Sequence, residues 1–260
     1  MSKKLMTEGM VNTVNHIAIQ AGREVMAIYQ KDFDIYEKSD ESPLTEADLA
    51  SHRYIVKELE SLTPDIPILS EESANIAWSE RQQWNKYWLI DPLDGTKEFI
   101  KRNGEFTVNI ALIDNGEPVF GAVYAPVLDT LYYGLKEHGA IKQVGKVPVP
   151  IKVTELPQNP LRVVGSRSHQ SDDMLSYLKQ FDDYELIPMG SSLKICLVAE
   201  GKADLYPRLG PTSEWDTAAA HAVLSAAGGR CFLYDNGQDL VYNSKESLLN
   251  PYFIAQGPQL

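Results

Sequence analysis

Residues 89–99 read LIDPLDGTKEF. An apolar, strand-like run ends on Asp91, and a second carboxylate, Asp94, follows three positions later. Pro92, Gly95 and Thr96 complete what reads as a tight turn at the mouth of the strand. By themselves, Asp91 can cap a turn and Asp94-Gly95 can make one, as Asp-Gly pairs often do. The whole string supports a second use. Mg²⁺ takes about six oxygen ligands, a few from carboxylates and the rest from water and substrate phosphate. Asp91 and Asp94 can face one ion or two neighbouring ones, Gly95 lets backbone approach, and Thr96 offers a hydroxyl to orient a water.

Upstream, Val11, Val14, Ala18, Ala21, Val25 and Tyr29 recur at steps of three and four, which predicts an amphipathic helix over 8–30. FDIYEKS (33–39) alternates like a strand, and SDESPLTEAD (39–48) reads as a polar turn containing Pro43. Thr45 with Asp48 three residues on makes a variant capping box, opening a helix over about 46–61 with Leu49, Ile55, Val56 and Leu59 inward. PDIPILSEES (64–73) reads as a strand ending in two glutamates, and WNKYWLID (84–91) as another.

Downstream, residues 105–135 are strand-rich, with Asn115-Gly116 as a hairpin turn. The stretch 137–160 is polar and rich in Gly, Pro and Lys, and a subdomain boundary is expected near 155. Strand and helix then alternate: strands at LRVVGSRSH, ADLYPRL, CFLYD and YFIAQ, helices at SDDMLSYLKQF, SSLKICLVAEG and EWDTAAAHAVLSAAGG. The expected organisation is an N-terminal α+β subdomain over 1–155 and a C-terminal α/β subdomain over 156–260, stacked in layers of helices and sheets with a cleft between them.

The chain has 260 residues and a formal charge of -12, from 24 Lys+Arg against 36 Asp+Glu. Such a surface repels nucleic acid polymers, so a nucleic acid partner is not expected. A compact phosphorylated ligand is admitted if a local site supplies cations. Cys196 and Cys231 sit in apolar contexts, as small core residues in a reducing compartment do. The N-terminus carries two lysines with no apolar stretch behind them, so neither a signal peptide nor a transmembrane segment is expected, and the expected location is cytoplasmic.

Acidic residues cluster at four predicted element ends: Asp48, Glu71/Glu72, Asp91/Asp94 and Asp216. Asp216 opens the Ala-rich helix, where an acidic residue is favourable in its own right by roughly 0.5–1 kcal/mol. Adjacent glutamates on a strand point to opposite sides, so one of Glu71 and Glu72 at most faces a common ion. ILSEES, LIDPLDGTKEFI and EWDTAAAHAVLSAAGG, in that order, resemble the Mg²⁺-dependent, lithium-sensitive phosphatases of the inositol monophosphatase superfamily. SDESPLTEAD, the GTKEF continuation and SSLKICLVAEGKADLYPRL resemble the branch of 3'(2'),5'-bisphosphate nucleotidases, whose bacterial members recycle adenosine 3',5'-bisphosphate in sulfate assimilation. One departure is Ser70, where the family often has Gly.

The resemblance implies a layered sugar-phosphatase fold and roles residue by residue. Glu71, Asp91, Asp94, Asp216 and the Leu93 carbonyl would hold two or three Mg²⁺ ions. Asp48 and Thr96 would hold and deprotonate the attacking water. Gly95, Thr96 and Asp216 would also touch substrate, and His169, Ser191, Lys194 and Arg208 would hold sugar and 5'-phosphate. The residues themselves add that Lys194 lies in the first turn of a helix whose N-terminus can bind phosphate, and that Arg208 ends a strand. Lys97, Lys101 and Arg102 read as a solvated face or electrostatic guide. The expected reaction is hydrolysis of the 3'-phosphate of adenosine 3',5'-bisphosphate to AMP, with the related 5'-phosphosulfate as a second substrate; Li⁺ inhibition and peripheral contact with the inner membrane are implied by the family alone.

Three alternatives differ in kind. Inositol monophosphatase activity shares the acidic core. A metal- or nucleotide-binding regulatory module would not need the full set Asp48, Glu71, Asp91, Asp94, Thr96 and Asp216. The haloacid dehalogenase phosphatases use a DxDGT turn with the first Asp as nucleophile; here the turn is DPLDGT, one residue longer, and the second Asp is aimed elsewhere.

Overall fold

The computed structural model describes residues 6–37, 43–165 and 172–257. Helix α1 (Glu8–Tyr29) starts at Thr7, whose hydroxyl accepts from the Met10 amide at 3.2 Å. Two short antiparallel strands, β1 (Ile35–Glu37) and β2 (Pro43–Thr45), follow. The segment expected to be a polar turn thus becomes strand from Pro43, because its backbone pairs with β1. Helix α2 (Glu46–Leu62) opens on the predicted capping box between Thr45 and Asp48.

Seven strands then form the first sheet in chain order: β3 (Ile68–Ser70), β4 (Lys86–Asp94), β5 (Thr107–Asp114), β6 (Glu117–Ala125), β7 (Thr130–Leu135), β8 (Gly139–Val144) and β9 (Val147–Ile151). Strands β3 and β4 are parallel and all later neighbours antiparallel. Short helices α3 (Trp78–Arg81) and α4 (Thr96–Ile100) flank β4. The β5–β6 hairpin turns on Asn115 and Gly116, both left-handed at φ 52° and 79°, as a tight turn between right-twisted strands requires. The polar stretch 137–160 is not simply a connection: it contains β8 and β9. Strand β9 is an exposed edge whose Val-Pro-Val-Pro run reads against a strand, because Pro cannot donate to a ladder; on an edge, Pro148 and Pro150 can sit where a missing N–H costs no ladder bond.

The second sheet has the order β11-β10-β12-β14-β13. Its strands are β10 (Leu161–Gly165), β11 (Tyr184–Pro188), β12 (Leu205–Arg208), β13 (Arg230–Leu233) and β14 (Phe253–Gln256). Strand β10 runs parallel to β11 and β12, while β14 is antiparallel to β12 and β13. Edge strand β11 was not foreseen, since YELIP alternates only weakly. Helices α5 (Asp172–Leu178), α6 (Leu193–Ala199) and α7 (Glu214–Ala226) complete the chain.

Core side chains sort these elements into five layers. Trp88, Ile90, Ile110 and Leu112 face α1 and α2, while their neighbours Leu89, Ala111 and Ile113 face α6 and α7. Val164, Cys231, Phe253 and Ala255 of the second sheet meet the same two helices from the other side, and Val163, Leu205 and Ile254 pack on α5. The order is α1/α2, first sheet, α6/α7, second sheet, α5. The central strands of both sheets are covered on both faces, which explains why they read as nearly continuous apolar runs. Cys196 and Cys231 are free and buried, as expected of core residues. Among the described residues no helix is long and apolar enough to cross a membrane.

Helix α7 lies almost on the backbone of the first sheet. A Cβ at Gly121 would stand 2.0 Å from the Ala219 carbonyl oxygen, and one at Gly134 2.9 Å from the Val223 Cα. The run of alanines in α7 and the two glycines beneath it answer one another. We expect Gly121→Ala to lower stability by about 2–3 kcal/mol, since backbone rather than a flexible side chain must move; urea unfolding of the folded variant measures this.

His221 of α7 is buried with its Nδ1 at 3.0 Å from the Tyr242 hydroxyl, and burial pushes its pKa down to about 4. The unfolded chain takes up a proton near the ordinary 6.5 that the folded chain refuses until about 4. This residue's stability contribution is therefore intact above pH 6.5 and is lost as pH falls toward 4. His221→Gln is expected to flatten the stability–pH curve in that window, by on the order of 2–3 kcal/mol, in urea titrations at pH 7 and pH 4.5.

Candidate active site

Residues three apart on a regular strand face opposite sides. Strand β4 escapes this by a bulge: Asp91 pairs with Asn109 and Asp94 with Thr107, so β4 advances three residues against two on β5. The extra residue resets the alternation and puts both carboxylates on one side. The expected tight turn after Asp91 is thus a bulge inside the strand. Its geometry is pinned by Ser51 of α2, whose hydroxyl donates to the Pro92 carbonyl at 2.7 Å, and by the Leu93 amide, which donates to Asp91 Oδ1 at 3.0 Å. Gly95, left-handed at φ 93°, then turns the chain into α4.

Helix α7 brings Asp216 to the same place. Its Oδ2 accepts from the Ser213 amide at 2.8 Å and the Thr212 hydroxyl at 2.7 Å, so it does cap its helix. It also joins the cluster: Asp91, Asp94 and Asp216 each offer an oxygen within 4.8 Å of the others. Capping and clustering are two uses of one side chain. Burial, first, and the neighbouring charges of Glu71, Asp94 and Asp216 hold the Asp91 carboxyl well above the usual range. Burial and then the Asp94 charge raise that of Asp216. Asp91 Oδ2 is buried with no hydrogen-bond partner. A buried carboxylate oxygen without a donor, amid other carboxylates, is unfavourable unless a cation or a proton meets it. The set of hard oxygen donors suits Mg²⁺.

Glu71 sits on a 3₁₀ turn (Glu71–Ser73) and not on the strand end that the sequence suggested. The turn still separates the two glutamates: Glu71 stands near enough to Asp91 to raise its pKa, while Glu72 lies near His52. Ser70, in place of the family's glycine, has ordinary extended backbone; its hydroxyl accepts from the Glu72 amide at 3.3 Å and meets His52 Nδ1 at 2.9 Å.

Asp48 is fully buried, one carboxylate oxygen held by the Thr45 amide at 2.8 Å and hydroxyl at 2.6 Å. Its other oxygen accepts from the Thr96 hydroxyl at 3.2 Å, and that hydroxyl lies 3.3 Å from the Leu93 carbonyl. The capping box of α2 thus aims Asp48 at the N-terminus of α4.

A cavity of about 540 Å³ opens from this cluster. Asp94, Gly95 and Asp216 line it together with Ser191, Lys194, Tyr206, Arg208 and two further acids, Glu98 and Glu105. Lys194 Nζ lies 5.8 Å from the centre of the Tyr206 ring, and the Arg208 guanidinium donates to the Pro211 carbonyl while its Nε is buried without a partner. Lys97 and Lys101, which the sequence left as a solvated face, line the same cavity. Arg102 does not: it donates to the Tyr29 and Lys31 carbonyls and stacks over Tyr29 and Phe33, clamping α1 to α4.

The sequence pattern of the inositol monophosphatase family matches residues 6–257. The chain belongs to the inositol monophosphatase family. Within it, the chain is 52% identical over 246 residues to the 3'(2'),5'-bisphosphate nucleotidase CysQ of Salmonella typhimurium, covering 94% of this chain and 98% of that one. It is 50% identical over 246 residues, with the same coverage, to the enzyme of that name from Escherichia coli K12. The crystal structure of CysQ from Bacteroides thetaiotaomicron superposes with a TM-score of 0.87 at 40% identity, covering 99% of this chain and all of that one. An inositol monophosphatase from Anabaena, 24% identical, shares the fold at a TM-score of 0.74 over 96% of this chain and 91% of its own.

Of the residues singled out in the sequence, Asp48, Glu71, Asp91, Leu93, Asp94, Gly95, Thr96 and Asp216 come together in one cluster; Asp94, Gly95 and Asp216 of it line the cavity, as do Ser191, Lys194 and Arg208. His169 lies outside the described residues. The helix N-terminus expected to bind phosphate does not offer free amides. Helix α6 has seven residues, and the Ser192 amide donates to Asp94 while those of Lys194 and Ile195 donate to Ser191 and Ser192 carbonyls. Sequence reasoning missed Asn109 and Ser192, which bond to one another and to the acidic cluster; polar residues inside apolar strand and helix runs (TVNIALID, SSLKICLVA) were the available signal.

Crowded carboxylates make a measurable prediction about the metal-free chain. Asp91→Asn should raise its melting temperature in EDTA, by about 1–2 kcal/mol of relieved repulsion, while Mg²⁺ raises that of the unaltered chain and leaves the variant nearly unmoved. Thermal unfolding with and without Mg²⁺ measures both.

Proposed function

We propose that this chain is a Mg²⁺-dependent phosphatase that removes the 3'-phosphate of adenosine 3',5'-bisphosphate, giving AMP and phosphate. The observation that carries the reading is the joining, in one cavity, of the Asp91/Asp94/Asp216 cluster to Lys194 and Arg208. Carboxylates suited to divalent cations and, in the same cavity, cations suited to an anion match a substrate with two phosphates. A single-phosphate polyol has no use for the additional cations. The relatives named 3'(2'),5'-bisphosphate nucleotidase support the same substrate class. The corresponding 5'-phosphosulfate presents the same two anionic ends and is a second substrate in this reading. Free, buried thiols at Cys196 and Cys231 agree with a cytoplasmic setting.

In this proposal Glu71, Asp91, Asp94, Asp216 and the Leu93 carbonyl hold two or three Mg²⁺ ions. Bound there, Mg²⁺ neutralises charge that spreads over the phosphoryl oxygens in the transition state and acidifies a water. The remaining work belongs to the chain. The Thr96 hydroxyl donates to Asp48, so its lone pairs are free to accept from the attacking water. The water's proton then passes through Thr96 toward Asp48, whose carboxylate is held by the capping box and cannot turn away. Gly95 makes the turn beside the bulge, left-handed at φ 93° and packed where a Cβ would stand 3.2 Å from the Glu105 carbonyl oxygen, and its backbone is assigned to the phosphoryl group from the sequence resemblance. Ser191, Lys194 and Arg208 bind the 5'-phosphate and sugar, with His169 assigned to the same end from the sequence resemblance alone.

Phosphate release from adenosine 3',5'-bisphosphate and from inositol 1-phosphate, each with Mg²⁺, tests the reading. The expected outcome is strong preference for the nucleotide, loss of at least ~10²-fold in kcat for Asp94→Asn, and a rise in KM of about 10-fold or more for Arg208→Ala with kcat less affected. Preference for the inositol ester would retain the acidic cluster and discard the nucleotide role of Lys194 and Arg208.

A further inference from the structure

We infer that Ser192 and Asn109 are positioning residues, a hydrogen-bonded relay that sets the spacing between Asp94 and Asp216. The inference rests on the reading of the acidic cluster as a cation site. Three elements meet at Ser192. Its amide donates to Asp94 Oδ2 at 2.5 Å, on β4 of the first sheet. Its hydroxyl donates to the Asp216 backbone carbonyl at 2.6 Å, in the first turn of α7. The Asn109 amide nitrogen, on β5, donates to the Ser192 hydroxyl at 2.8 Å and lies 3.4 Å from Asp94 Oδ2. Both side chains are buried.

Two details set this apart from ordinary packing. Ser192 occupies the N-cap of α6, where a serine hydroxyl normally accepts from its own helix's first turn. Here it makes no capping bond and reaches across to α7 instead. Asn109 turns its donor end to the site and leaves its own Oδ1 buried with no partner. An orphaned buried carbonyl is destabilising, so the amide is oriented by its acceptors at the expense of stability. Ser191, left-handed at φ 47°, is the bend that points the Ser192 amide at Asp94. All donors in the relay run one way, from Asn109 through Ser192 to the Asp216 carbonyl, so each bond strengthens the next. Asp94 and Asp216 sit on different elements with no covalent reason to keep a fixed distance. The relay supplies that reason, and outer partners of this kind are typically worth 10–100-fold in metal affinity.

The test is Mn²⁺ binding to the full chain without nucleotide, followed by the EPR signal of free Mn²⁺, beside thermal unfolding in EDTA. The expected result is that Ser192→Ala and Asn109→Ala each weaken Mn²⁺ binding about 10-fold or more, and that the double variant is no worse than the weaker single one, as for one shared relay. Ser192→Thr, which keeps the hydroxyl, should retain the affinity of the unaltered chain. A folded Ser192→Ala or Asn109→Ala chain that binds Mn²⁺ normally, with only its melting temperature lowered, would overturn the inference and reduce both residues to packing. Strictly additive losses would overturn the relay. No Mn²⁺ binding by the unaltered chain would overturn the cation-site reading itself, and the inference with it.

Discussion

The rest of the site depends on mutual repulsion held in check. Asp91, Asp94 and Asp216 bring three carboxylate oxygens within 4.8 Å of one another, and one Asp91 oxygen has no donor at all. The carboxylates work against one another, since each neighbouring charge raises the free energy of ionising the next, and the donors from Leu93, Ser192, Thr212 and Ser213 offset only part of that. It persists because the scaffold over-determines the three backbones: a bulge pinned by Ser51, a capping box at Ser213, and a relay through Ser192. Such stored strain is what makes a cation site rather than a salt-bridge network.

The scaffold gains its rigidity from close approach. Helix α7 can lie against β6 and β7 only because Gly121 and Gly134 offer no side chains and α7 offers alanines. The same helix touches the second sheet on its other side, so it is the shared middle layer of the molecule. Asp216, at its first turn, is thereby placed by both sheets at once. A cluster assembled from β4 on one side and α7 on the other inherits its precision from that packing.

The cavity mixes opposite charges. Lys97, Lys101, Lys194 and Arg208 line it beside Asp94, Glu98, Glu105 and Asp216, in a chain whose net charge is -12. The general surface repels polyanions, while the cavity offers an anion four cations in one place.

Much of this was legible in the chain. The periodicity of α1, the Thr45–Asp48 capping box, the Asn115-Gly116 hairpin and the Gly228-Gly229 stop after α7 are local, so local residues announce them. The acidic residues of the site were legible for the same reason: each belongs to a short motif whose spacing has its own chemistry. Edge strands β9 and β11 were not, because the prolines of VPVPI argue against a strand and YELIP alternates only weakly. Nor was the bulge, since DPLDG reads equally as a turn until the pairing of Asp91 with Asn109 and Asp94 with Thr107 shows one residue in excess. By itself the sequence determined which side chains are on hand for chemistry, and the order of most of the helices and strands that carry them. The tertiary structure alone decided that Lys97 and Lys101 face the cavity while Arg102 clamps α1, and that Asn109 and Ser192 meet between Asp94 and Asp216. Those outcomes rest on contacts between residues as far apart as 98 positions in the chain, and no local pattern records what such a partner will be.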